Sequence, residues 1–97
     1  MKTKVFNLFA KGSKVLIRTV TNYQVGETVS IESIGEHQFI LLKDASWVAD
    51  TKCFSEALTK GFSQLAEIEP IPGICAVSAG SIVDVFEWSH PLPTSRQ

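Results

Sequence analysis

Apolar and polar residues alternate in short runs along most of this chain, and a period of two dominates over the helical period. Val5-Phe6-Asn7-Leu8-Phe9-Ala10 is brief and apolar and ends at the turn signal Lys11-Gly12-Ser13, which predicts a strand. Lys14 to Thr21 is rich in β-branched residues and predicts a second strand. A loop from Asn22 ends near Gly26. Thr28-Val29-Ser30-Ile31-Glu32-Ser33 then alternates, with Val29 and Ile31 expected inward and Ser30 and Glu32 outward. Ile34-Gly35-Glu36-His37 reverses the chain, and Gln38 to Lys43 runs back as the partner strand of the best-defined hairpin. Asp44-Ala45-Ser46 predicts a further turn into a short strand over Trp47-Val48-Ala49.

The period changes once. Asp50 or Thr51 is placed to cap a helix carrying Phe54, Ala57 and Leu58 at i, i+3 and i+4, closed by Lys60 and Gly61. Such a helix is too short to stand alone, so Phe54 and Leu58 must dock on the sheet. Phe62 to Glu69 reads as a strand of ambiguous facing, and Pro70-Ile71-Pro72-Gly73 breaks it. Ile74 to Val77 predicts a brief strand, Ser78-Ala79-Gly80-Ser81 a small-residue turn or bulge, and Ile82 to Trp88 the main strand of the C-terminal half. Residues 1–90 thus form one domain, with 91–97 expected as a loose, polyproline-like tail. The fold class is mainly β with one short helix, arranged as a small antiparallel barrel or a strongly bent sheet.

Residues 14–54 resemble a bacterial SH3-like barrel. The resemblance runs from Gly26-Glu27-Thr28-Val29-Ser30-Ile31 through Phe39-Ile40-Leu41-Leu42 to Ser46-Trp47-Val48 and the short helical turn after it. It implies a fold, not an activity. Ser46 replaces the family's Gly before the aromatic, Cys53 and Phe54 come one residue late, and Glu36 and His37 stand where a groove Trp belongs. Proline-rich peptide binding therefore does not follow from it.

Composition narrows the function classes. Ninety-seven residues, 44% of them hydrophobic, can build one core but hold a deep cleft with difficulty. No apolar run approaches a membrane span or a secretion signal, so a cytoplasmic setting is the expectation. Cys53 and Cys75 lie in apolar contexts, read as small buried hydrophobes, and form no CxxC pair. Residues 1–26 hold Lys2, Lys4, Lys11, Lys14 and Arg18 and no acid, whereas the rest holds all ten acids, although the net charge is only −1. That basic stretch is either ordinary solubilising charge or a face for an acidic partner, with nucleic acid the weaker reading.

No catalytic, metal or cofactor constellation is legible. Ala10-Lys11-Gly12-Ser13-Lys14 lacks the first Gly of a phosphate loop. Ser81 lacks the flanking glycines of a nucleophile elbow, and His37 and His90 stand at no metal-ligand spacing. Contact candidates remain: Tyr23, Trp47 and Trp88 as aromatics able to reach the surface, and Asp84, which is either paired with Arg18 or a lysine, on an edge, or lining a pocket. Asp84 shares a strand face with Ile82, Phe86 and Trp88, while Val83 and Val85 lie opposite. A strand apolar on both faces is central or is covered from outside the chain, which predicts self-association as a dimer through this strand. The expected function is a non-enzymatic binding or interaction module. The alternatives are a small-molecule pocket at a subunit interface lined by Asp84 and Trp88, or a nucleic-acid binder using the basic strands.

Overall fold

The structure, a computed structural model, describes residues 8–97. Six strands, β1 (Lys14–Thr19), β2 (Tyr23–Ile34), β3 (His37–Asp50), β4 (Glu67–Pro70), β5 (Cys75–Ser78) and β6 (Ile82–Glu87), accompany one helix, α1 (Phe54–Lys60). All strand pairs are antiparallel, in the order β4-β3-β2-β1-β6. β5 joins β3 along Phe39–Leu42, and β4 takes the same edge further on, at Ser46–Asp50. The sheet does not close. The open sheet, and not the barrel, is the architecture formed.

Local chemistry explains the long strands. Gly35 adopts φ 62 as the first of two loop residues between Ile34 and His37, which lets a two-residue hairpin form. The turn expected at Asp44-Ala45-Ser46 is absent, and β3 runs through it unbroken. Asp44 takes φ 50 within the strand, a left-handed conformation that Asp tolerates better than most residues. Two register shifts, between Val25 and Glu27 and between Thr28 and Ser30, bend β2. Ile31, expected inward, lies opposite buried Ile40 yet is 48% exposed, and Ile34 projects, because the hairpin end runs past the apolar cluster.

Two apolar clusters occupy opposite faces of β1. Leu16 packs with Val25, Val48, Ala57, Ile68 and Trp88, beneath Phe54, Leu58 and Phe62. Val15 and Ile17 pack with Ile40, Leu42, Ala45 and Val77. Helix α1 is short as expected, but its N-cap is Cys53, with no side-chain cap bond, because the Asp50 carboxylate accepts instead from the Lys52 amide at 2.7 Å. Cys53 is consequently exposed, not buried, and both cysteines are free.

The C-terminal half departs furthest from expectation. Only Glu67–Pro70 of the segment read as one long strand is extended in a ladder. Leu8 to Ala10 form turns, and residues 5–7 of the first expected strand lie outside the described residues. Residues 91–97, expected to hang loose, lie along the body of the domain. The Ile68 and Gln97 amides each donate to the other's carbonyl, at 2.8 and 3.0 Å, and Leu92 packs on the Leu16 cluster. The two prolines of this segment cost it no ladder bond, since the amide engaged is that of Gln97.

Candidate functional site

Of the five residues singled out in the sequence, the structure pairs two, packs two into or against the Leu16 cluster and leaves the fifth exposed. Arg18 and Asp84 face each other in the β1–β6 register. Nε and Nη2 of Arg18 donate to Oδ1 and Oδ2 of Asp84 at 2.9 and 2.7 Å, a bidentate pair at the surface. The guanidinium bonds, helped by its charge, hold the Asp84 carboxyl below the usual carboxylate range against an opposing desolvation. Asp84 is thus a neutralised structural partner.

Trp88 is core, not surface, at 3% exposure. Its ring stacks on Phe62 at 4.5 Å and meets His90 edge-on at 4.9 Å, while its indole N–H donates to the Pro91 carbonyl. His90 is fixed in turn by a 2.8 Å bond between Nε2 and the Leu58 carbonyl near the end of α1. The pocket expected between Asp84 and Trp88 therefore lacks one of its two walls. Tyr23 is half-buried and stacks on Phe54 at 5.6 Å, so it docks α1 and offers little free face.

The C-terminal strand is also placed differently. β6 stands at the end of the sheet, and both of its faces are covered from within the chain. Phe86 meets Phe54 edge-on at 5.0 Å, while Ile82 and Val85 pack on the Val15–Ile17 cluster. Ile82 lies on the face of Val85, not of Asp84, because the register shifts between Arg18 and Thr19. Val83 is the extra residue of that bulge and remains 55% exposed. Outside cover for the strand's faces is therefore not required.

Trp47 is the residue left over, and its surroundings form the candidate site. Ile17, Gln24, Trp47 and Glu69 stand directly opposite one another across β1, β2, β3 and β4, on a single face. At Ile17 that face is fully buried; at Trp47, two strands away, the ring is 53% exposed. The cover ends between them. An open groove of about 330 Å³ results, lined by Trp47, Asn22, Ala49, Glu67, Glu69 and Arg96. The Gln97–Ile68 pairing lays the end of the chain along β4 and brings Arg96 to the groove's rim.

This arrangement gives an aromatic surface beside two carboxylates. The negative face of an indole attracts cations, and Glu67 and Glu69 add to that attraction. Sequence reasoning passed over both glutamates because Phe62 to Glu69 reads as one strand with no consistent facing. The signal was there in Glu67-Ile68-Glu69, a polar–apolar–polar alternation with Ile68 inward. Among the described residues, no three His, Cys, Asp or Glu side chains gather to hold a metal ion. No helix among them is long and apolar enough to cross a membrane. Comparison with protein-family models, curated proteins and solved structures finds no match to this chain.

Proposed function

We propose that this domain is a non-enzymatic binding module whose contact surface is the groove at Trp47, and that it takes a cationic group on a partner. The observation that carries the reading is the exposure of Trp47 on a rigid strand, directly opposite Glu69 and in one groove with Glu67. A half-exposed indole held by backbone ladders on both sides loses little conformational freedom on contact, which is what an aromatic anchor needs. A lysine, arginine or alkylammonium group over the ring gains about 0.5–1 kcal/mol at an exposed site, and the carboxylates fix its approach.

Nucleic acid fits the same surface poorly. Glu67 and Glu69 repel phosphate, and the two β1 cations of the basic stretch are engaged elsewhere: Arg18 with Asp84, and the Lys14 ammonium with the His90 carbonyl at 2.6 Å. Neither β1 cation lines the groove of Trp47.

The two tryptophans make the test direct. Trp88 is buried and serves as an internal reference, so a ligand-dependent change in emission reports Trp47. Titration with short arginine- and lysine-containing peptides is expected to shift the exposed component. Trp47→Ala removes the reporter, so its binding is read by calorimetry, and that binding should be lost without altering the fold. Glu67→Gln with Glu69→Gln should weaken binding about tenfold and reduce its salt dependence. Equal binding by wild type and Trp47→Ala would sink the reading, as would preference for anionic over cationic probes.

A further inference from the structure

We infer that a second copy of this chain pairs along the outer edge of β6, two-fold and antiparallel, with Phe86 at the centre. The inference concerns a surface separate from the Trp47 groove and stands independently of it. Among the described residues, β6 is hydrogen-bonded to β1 alone. The Trp88 amide donates to the Lys14 carbonyl at 3.0 Å, which sets the phase of the ladder. In an antiparallel pair, residues alternate between turning both backbone groups toward the partner and turning both away. Phe86 and Asp84 therefore face β1 as Trp88 does, and Val85 and Glu87 direct their amides and carbonyls outward.

The two ends of the sheet are treated differently. At β4 the edge is closed: Pro70 ends the strand, and Ile68 exchanges two hydrogen bonds with Gln97. At β6 there is no proline, no lysine and no covering segment among the described residues. A charged residue on an edge strand ordinarily deters pairing with another chain. Here Asp84 is tied back on the sheet face by the bidentate bonds of Arg18, which removes its deterrent, and Glu87 at the strand's end comes opposite Val85 of the other copy.

Self-complementarity selects the second copy as the occupant and also selects the register. Centring on Phe86 pairs Val85 with Glu87 of the other copy twice over, uses the whole regular stretch from Asp84 to Trp88, and sets no like charges opposite each other. Centring on Asp84 would oppose two carboxylates, which is unfavourable. Centring on Val85 would run each strand into the other's bulge at Val83. A five-residue edge pairing buries less than the ~1,200 Å² at the lower end of stable interfaces, so dimer should appear only between roughly 10 µM and 1 mM.

Sedimentation velocity over that range, together with amide hydrogen exchange, tests the proposal. Wild type should pass from monomer to dimer, and the Val85 and Glu87 amides should become protected as it does. The Asp84 and Phe86 amides, bonded to β1, should be protected at every concentration. Val85→Pro removes an outward amide that the monomer's ladder does not use, so it should leave the far-UV spectrum unchanged and abolish the dimer. A wild type that stays monomeric at about 1 mM would overturn the inference. So would a dimer whose Val85 and Glu87 amides exchange as in the monomer, and that measurement decides the matter even where Val85→Pro fails to fold.

Discussion

Arg18 and Asp84 belong to strands 66 residues apart in sequence, yet meet in two parallel hydrogen bonds. Their effect is readable in acid. Because Asp84's carboxyl is held low in the folded state, its stabilising contribution is complete above the unfolded value and is lost as pH falls through the lower folded value. An NMR titration of the side-chain carboxyl should place Asp84 below the ordinary range, and Arg18→Ala should return it there. Both groups are solvent-exposed, so a modest change in stability at neutral pH is expected. Gly26 makes a different single-residue case. A Cβ built there would stand 3.1 Å from the Ala45 Cβ, 3.2 Å from the Ala45 Cα and 3.2 Å from the Leu42 Cβ. Backbone cannot yield as a flexible side chain does, so Gly26→Ala should cost about 1–3 kcal/mol in urea unfolding, with strand content retained.

At the scale of elements, the sequence was most legible where alternation was uninterrupted. The β2–β3 hairpin, the short helix ending at Gly61 and the strand before Trp88 all lie where the apolar spacing puts them. What failed was facing, and bulges are one cause. Each inserts one residue, which turns every side chain beyond it to the other face. That is why Ile82 leaves the face of Asp84; Ile31 stays opposite Ile40 on the core face and is exposed because the end of the hairpin runs past the apolar cluster. Trp47 was legible as an aromatic of the right kind, but its partners were not, because Glu69 and Arg96 reach it only through long-range pairing. The burial of Trp88 was hidden for the same reason: Phe62 and His90 enclose it from either side of the chain's last strand.

At the scale of the whole molecule, the end of the chain acts as a structural member. Leu92 packs on the Leu16 cluster, Gln97 pairs with Ile68, and the Gln97 side-chain amide donates to the Ser63 carbonyl at 2.6 Å. Deleting residues 92–97 should lower stability by about 2–4 kcal/mol, seen as an earlier urea midpoint, from lost apolar burial and hydrogen bonds together. It should also unblock the β4 edge and widen the groove at Trp47.

β1 is buried on both faces and flanked on both edges, yet its two neighbours come from very different distances along the chain. β2 follows it directly, whereas β6 must return from the far end of the domain. Closing so long a loop is entropically expensive, and such pairings form late. The order of assembly follows: the β2–β3 hairpin first, β1 upon it, and β6 in the final step. Until that step the innermost strand has an open side, and the newly made chain is most prone to associate wrongly during this interval. In φ-value measurements, Leu42→Ala should slow folding, whereas Val85→Ala should chiefly speed unfolding.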